Sequence, residues 1–413
     1  MLNRHSRYPW IVVGLLWVVA LLNYMDRQML STMRPSMQVD IADLQSATNF
    51  GRLMAVFLWI YGFMSPVAGI IADRISKKKL IVGSLLVWSM VTWSMGYVHS
   101  FSQLYFLRAA MGVSEALYIP AALALIAEYH SDKTRSLAVG IHMTGLYMGQ
   151  ALGGFGATIA ASFSWQAAFH YFGLAGIVYA FLLFFFLKDK KHVLPTNVLD
   201  KGEVGSWNVW KSLSLLFSMV PFWVILFYFA VPSLPGWGVK NWIPTLFSQS
   251  LQIDMATAGP LSTITIAVSS FAGVLVGGIV SDKWVQQNIR GRIYTSAIGL
   301  FLTIPSLMFL GWGDSLVSVL LSAICFGFGF GMFDANNMPI LCQFVSPRLR
   351  ATAYGFMNMM GVMAGAFITG WLGKSTDEGH LGRDFIFLAL IVAVALILQL
   401  WVLRPQVINK DEN

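Results

Sequence analysis

The chain has 413 residues, of which 57% are hydrophobic, 14% aromatic and only 11% charged, where a soluble chain carries roughly a quarter Asp, Glu, Lys and Arg. That balance excludes a soluble globular enzyme, and apolar stretches of about 20 residues recurring from end to end demand an apolar solvent, the lipid bilayer. The formal charge of +8 does not point to nucleic acid, because the basic residues are scattered between hydrophobic spans instead of gathered on one face.

Windows of about 19 residues predict twelve spans: 9–30, 50–72, 80–98, 103–127, 137–162, 167–187, 218–246, 257–280, 293–312, 315–343, 351–372 and 384–403. No small-residue cleavage site follows the first, which reads as a retained span and not a cleaved signal peptide. The even number places both termini on one side. Of the 27 Lys and Arg, 20 fall in the termini and even-numbered loops, three (Arg34, Lys374, Arg383) in the opposite loops, and four (Arg27, Arg52, Arg108, Lys240) in or beside spans. Cytoplasmic loops collect Lys and Arg, so both termini are expected in the cytoplasm and the chain in the inner (cytoplasmic) membrane. The polar stretch 188–217 divides the chain into an N-terminal six-helix bundle, 1–187, a cytoplasmic linker, 188–217, and a C-terminal six-helix bundle with a short tail, 218–413. Cys325 and Cys342 lie 17 residues apart in one apolar segment, roughly 25 Å along a helix, too far for a disulfide.

An internal repeat follows the same division. Gly69-Ile-Ile-Ala-Asp73-Arg74, closing the second span, is echoed 209 positions later by Gly278-Ile-Val-Ser-Asp282-Lys283. Arg135-Ser-Leu-Ala-Val-Gly140 returns at an offset of 215 as Arg350-Ala-Thr-Ala-Tyr-Gly355, and Glu115-Ala116 with Pro120 returns at 219 as Asp334-Ala335 with Pro339. The order and the spans correspond. The expected fold is therefore all-α, twelve transmembrane helices in two pseudo-symmetric six-helix bundles, with a site between them opened to each side in turn.

The residues that carry the repeat resemble the major facilitator superfamily. Gly69-x-x-Ala72-Asp73-Arg74-x-Ser76-Lys77-Lys78 is similar to its signature between spans two and three; Arg108-x-x-x-Gly112-x-x-Glu115-Ala116 resembles the span-four motif. Gly145-x-x-x-Gly149-Gln150-x-x-Gly153-Gly154 resembles the span-five motif, with Gln150 where Pro is common. Asn23-Tyr24-Met25-Asp26-Arg27, Trp59-x-Tyr61 and Trp165-Gln166-x-x-Phe169 look most like the anion:cation symporter family, whose members include proton-coupled carriers of galactonate, hexuronates and glucarate. The Asn-Tyr-x-Asp-Arg and span-four pieces also occur in the Spinster family of lysolipid transporters. A Spinster-like lysolipid carrier, or a neutral-sugar or drug transporter of the superfamily, is the alternative.

A charge at mid-membrane costs at least about 2.5–3.5 kcal/mol and needs a partner or a cavity. Asp26, Glu115 and Asp334 are so placed, opposed by Arg27, Arg108 and Lys240. Protonating one acid leaves the interior net positive and favours an anion, so proton and anionic solute would each raise the other's affinity. Asp26 and Glu115 are the expected proton carriers, positions that the resemblance also assigns to protons in sugar-acid symporters. Arg27 is the expected ligand for a solute carboxylate, because a planar guanidinium holds carboxylate bidentately. Arg108 is expected to pair with Asp26 or with solute, and Lys240 to pair with Asp334 or touch solute. Tyr24, Tyr61, Asn241 and Asn337 are further candidate ligands, although buried amides also glue membrane helices.

The superfamily resemblance implies that Asp73, Arg74 and Lys77, with the copy Asp282, form a cytoplasmic latch favouring the outward-facing state. Only His142 and His170 fall in or near spans, without a second ligand at metal spacing, so no metal and no cofactor is expected. No Gly-x-Ser-x-Gly, His-Glu-x-x-His or phosphate-binding Gly-rich loop is present, which argues against an enzyme. The expected function is import of a small organic anion, a sugar acid such as a hexuronate, an aldonate or sialic acid, by symport with protons, sodium being the other coupling ion compatible with the sequence. The expected partners are the solute, the ion and the bilayer, with the monomer as the working unit.

Overall fold

The structure, a computed structural model, describes residues 7–189, 214, 216–345 and 350–403. Most of the expected linker 188–217 lies outside the described residues, as do the side chains of Asp73 and Arg74. The described residues are helical and contain no strand. The first half comprises α1 (Tyr8–Met37), α2 (Ala47–Arg74), α3 (Lys77–Met95), α4 (Phe101–Ala116), α5 (Tyr118–Tyr129), α6 (Asp132–Gly153), α7 (Gly156–Ser162) and α8 (Trp165–Phe186). The second half comprises α9 (Val220–Leu251), α10 (Met255–Val285), α11 (Gly291–Trp312), α12 (Leu316–Asp334), α13 (Asn337–Phe344), α14 (Arg350–Asp377) and α15 (Leu381–Val402).

Among the described residues, ten helices are long and apolar enough to cross a membrane. The remaining two expected spans, 80–98 and 137–162, are helical as α3 and α6–α7, but α3 opens on three lysines and α6 carries His142, Gln150 and several glycines, which lowers their mean hydropathy. Polar residues start several helices by accepting the backbone N–H three positions on, as Ser76 does from Lys79 at 3.1 Å, Ser164 from Ala167 at 3.0 Å and Asp254 from Thr257 at 2.9 Å.

Two spans break at matching points of the repeat. Pro120 has no N–H for the Ala116 carbonyl, and the Leu117 amide turns to the Ser114 carbonyl at 3.3 Å, separating α4 from α5. Pro339 stands in the same relation to Ala335, and the Asn336 amide turns to Phe333 at 3.1 Å, separating α12 from α13. Glu115 and Asp334 therefore each sit at the end of a broken helix, a backbone arrangement that membranes tolerate only beside protein or a water-filled cavity.

The halves pack alike. In the first, α1 lies on α6, α2 on α4 and α3 on α8; in the second, α9 lies on α14, α10 on α12 and α11 on α15. The bundles meet through two equivalent pairs, α2 with α14 and α6 with α10. We call the end holding the start of α1 and the Lys77–Lys79 run the basic end. At the opposite end the bundles touch closely: a Cβ at Gly51 would stand 2.9 Å from the Thr369 carbonyl, and one at Gly259 would stand 2.6 Å from the Gly154 carbonyl. The Asp377 carboxylate of α14 also caps α2 across the divide, accepting from the Ala47 amide at 2.6 Å, the Thr48 amide at 2.8 Å, the Thr48 hydroxyl at 2.7 Å and the Ser46 hydroxyl at 2.8 Å. At the basic end the corresponding glycines, Gly69, Gly140, Gly278 and Gly355, face nothing within 4 Å. The bundles are thus closed at one end and parted at the other.

Candidate functional site

The 3.6-residue period of α1 places Asn23, Asp26 and Arg27 on its inward side, opposite Glu115 of α4. Glu115 is fully buried, Asp26 is 4% exposed and Arg108 3%. The Nε of Arg27 donates to Oε2 of Glu115 at 2.6 Å, and the Asn23 amide donates to the same oxygen at 2.9 Å. Three rings enclose the guanidinium, Tyr61 at 4.6 Å, Phe57 at 4.9 Å and Tyr24 at 5.0 Å from its carbon. These cation–π contacts supply attraction without hydrogen bonds, so they hold Arg27 while leaving its Nη2 without a partner.

Asp26 accepts from the Thr92 hydroxyl at 3.3 Å on Oδ2, and its Oδ1 has no partner. The expected pairing of Arg108 with Asp26 is not formed. Arg108 donates instead to the Met111 sulfur at 3.2 Å and lies over the Phe57 ring at 4.6 Å, with Asp26 in electrostatic reach only. The Phe57 ring of α2 lies under both guanidinium groups, and this cation–π attraction holds Arg108 without an acid.

In the second bundle the expected Lys240–Asp334 ion pair is likewise not closed. The ammonium of Lys240 lies 5.3 Å from the Trp237 ring and 5.6 Å from the Phe330 ring, while Gln28 of α1 donates to the Lys240 backbone carbonyl at 3.0 Å. Asp334 accepts from the Asn337 amide at 3.1 Å, across the break between α12 and α13. Asp334 is solvent-exposed, although it ends a long apolar helix deep in the bundle. An exposed acid at that depth lines a water-accessible cavity. Tyr24 lies within electrostatic reach of Arg27, Glu115 and Asp334, and Lys240 within reach of Asp334 and Arg27. The charged groups of the two halves therefore lie within electrostatic reach of one another.

Asn241 lies apart from this group, its amide donating to Thr369 at 2.8 Å near the closed end. That bond joins α9 to α14 and gives Asn241 a packing role. Asn337 is buried with its amide on Asp334 and its carbonyl oxygen without a partner. At the basic end, Lys77 pairs with Glu128 of α5 at 3.0 Å and Asp282 with Arg292 of α11 at 3.3 Å, each within its own bundle. With the bundles parted there, neither pair spans them. Among the described residues, no group of three or more His, Cys, Asp or Glu is placed to hold a metal ion.

Sequence reasoning assigned no part to Asn23, Phe57, Thr92, Trp237 or Phe330. Asn23 stood inside a quoted motif and Trp237 lies one turn before Lys240, a signal that was available. Phe57 and Phe330 are ordinary aromatic residues of apolar spans, and only the packing of α2 on α4 and of α12 near α9 gives them a place.

The sequence model of the Major Facilitator Superfamily matches residues 16–370. Curated relatives run the length of the chain. An MFS-type efflux pump of Mycolicibacterium smegmatis is 26% identical, covering 95% of this chain and 91% of the relative. The probable L-galactonate transporter of Escherichia coli K12 is 24% identical over 92% and 86%, and the probable galactarate/D-glucarate transporter GudP of Bacillus subtilis is 26% identical over 100% and 96%. Among solved structures, a bacterial homologue of the human lysosomal transporter Spinster, described as inward-facing and unoccupied, superposes with a TM-score of 0.79 at 17% identity, covering 96% of this chain and 97% of that one.

Proposed function

This chain belongs to the major facilitator superfamily, and we propose that it imports a small organic anion, a sugar acid of the hexuronate, aldonate or sialic acid class, together with protons by alternating access. It is a multi-pass membrane transporter and not an enzyme. The observation that carries the reading is the Arg27–Glu115 contact at 2.6 Å, with the Tyr61 ring 4.6 Å from the guanidinium and Tyr24, Lys240 and Asp334 in electrostatic reach of the group. The probable galactonate carrier among the relatives supports the aldonate class, and the probable galactarate/D-glucarate carrier supports sugar acids in general.

The coupling follows from charge. While Glu115 is ionised it holds Arg27, and the pair is neutral. A proton on Oε1, the oxygen without a partner, weakens that hold and leaves the guanidinium positive and available to a solute carboxylate. Proton and solute thus each favour the other, as linkage requires. Asp26, with its unpartnered Oδ1, is the second proton carrier in this scheme. After both have left, the Arg27–Glu115 contact re-forms and the empty carrier crosses without uncompensated charge.

The positive-inside distribution puts the basic end, with both termini, in the cytoplasm, so the form described here is open inward. The division into two bundles joined by a linker at 188–217, which move as units about the site, belongs to the same proposal, as do the ligand roles of Tyr24, Tyr61, Arg108 and Asn337. The test is uptake of labelled glucuronate, galactonate and sialic acid into liposomes holding the purified protein, with and without an inward proton gradient. Gradient-driven uptake of one acid, lost in Arg27→Ala and reduced to exchange in Glu115→Gln, is expected. Movement of a lysolipid or neutral sugar, with all three acids ignored, would overturn the reading.

A further inference from the structure

We infer that the second bundle's side of the cavity, built by Lys240 and Asp334, reads the far end of the solute and admits an acid with a single carboxylate and a hydroxylated tail in preference to the matching diacid. The inference rests on the sugar-acid reading above and narrows it.

Asp334 is the exposed acid of the cavity, with Asn337 as its hydrogen-bond donor at 3.1 Å. Lys240 is half-buried, its ammonium set between Trp237 and Phe330. No ion pair joins the two, yet each lies within electrostatic reach of the other, and Lys240 also feels Arg27. A cation and an anion thus stand side by side with their hydrogen-bonding capacity unspent on each other. A hydroxyl suits such a pair because it donates to the carboxylate and accepts from the ammonium at once. A second solute carboxylate only accepts, so it satisfies Lys240 but meets Asp334 as a like charge, and like charges facing each other are strongly selected against in recognition.

The charge balance points the same way. Arg27, Arg108 and Lys240 stand against Asp26, Glu115 and Asp334, so one added proton compensates one solute carboxylate. A diacid needs protons on both Glu115 and Asp26 before the interior balances, whereas a monoacid needs only one. The Trp237 ring, 5.3 Å from the Lys240 ammonium, is the neighbouring apolar surface for the C–H side of a carbon chain.

Galactonate and galactarate differ only at the sixth carbon, a hydroxymethyl group in one and a carboxylate in the other. In proteoliposomes containing the whole chain, each is used to compete with uptake of labelled galactonate. Galactarate is expected to compete at least about tenfold less well, and Asp334→Asn to close most of that gap while Asp334→Glu preserves it. Melting temperatures of the variants, read alongside, separate misfolding from a change of preference, and the wild-type ratio alone already decides the first half. Equal competition by galactarate in the wild type, or an unchanged ratio in a folded Asp334→Asn protein, overturns this inference and leaves the sugar-acid reading standing. If no monoacid moves or competes at all, the sugar-acid reading falls and takes this inference with it.

Discussion

Arg27 of α1 and Glu115 of α4 meet at 2.6 Å through Nε and Oε2, 88 residues apart in the chain, and that single contact joins a base expected to hold solute to an acid expected to hold a proton. Asn23 shares the acid's oxygen, and Tyr24, Phe57 and Tyr61 wall the base. Competition for one guanidinium, between an internal carboxylate and an external one, is a sufficient physical basis for coupled movement.

Arg27→Lys tests whether the shape of the cation matters and not only its sign. Lysine keeps the charge but loses the planar fork and the flat face that lies against three rings. Uptake at limiting solute is expected to fall at least about tenfold, equivalent to about 1.4 kcal/mol. Initial rates against solute concentration check it, and near wild-type rates would mean that charge alone suffices.

Asp377 holds the closed end by capping α2 from the other bundle. An asparagine there keeps one acceptor oxygen and presents an amide to donors, losing about 0.5–2 kcal/mol of capping. Asp377→Asn is therefore expected to shift the resting population toward the form open at that end. Spin labels at the exposed positions Val39 and Gln252, with Cys325 and Cys342 replaced by serine, report it as a longer distance distribution. An unchanged distribution would show that glycine packing alone keeps this end shut.

The helix pair α2–α14 carries a register for its other closure. Gly51 lies against Gly373 and Gly62 against Val362, so each step along α2 is matched by an equal step back along α14, and the same register brings Gly69 opposite Gly355. Both now face open space. Gly355→Leu is expected to leave the present form intact and to hinder closing at the basic end, since helix backbones approach closely only over small residues. Transport should be lost while solute binding from the basic side persists, which binding to detergent-solubilised protein measures beside uptake. Wild-type uptake in Gly355→Leu would place the second closure in a different register.

Outside the membrane, Asp40 accepts from the Trp165 indole at 2.7 Å and the Gln166 amide at 2.8 Å, tying the α1–α2 connection to the start of α8. These donors hold its carboxyl below the ordinary value of 3.8. A depressed folded value means that the added stability is complete above 3.8 and is lost as pH falls through the folded value. Melting temperature in detergent is expected to fall over that acidic window by less in Asp40→Asn than in wild type. Parallel curves would remove Asp40 as a contributor.

The spans, the repeat and the acids and bases worth attention were legible in the sequence because each rests on local spacing or on a charge too costly to bury without purpose. Tyr24 and Arg27 could be placed near Glu115 from their motifs, but the partner of each base could not. Arg108 lies against Met111 and Phe57 and not on Asp26, and Lys240 lies between two rings and not on Asp334, because Phe57 and Phe330 reach these bases from other helices, which local spacing does not fix. Asn241 looked like a ligand from its place beside Lys240, yet Thr369 of α14 takes its amide.

By itself, then, the sequence determined a twelve-span membrane fold, its duplication, and a small set of intramembrane charges, since hydropathy and helical period act over neighbouring residues. Tertiary structure alone decided that Arg27 belongs to Glu115, that Lys240 and Asp334 stand open to a cavity, and that the end held by Asp377 is the closed one. The physical reason is that, under the proposed alternating access, one sequence serves two bundle arrangements built from the same helices. Only the relative placement of α2 with α14 and of α6 with α10 distinguishes them.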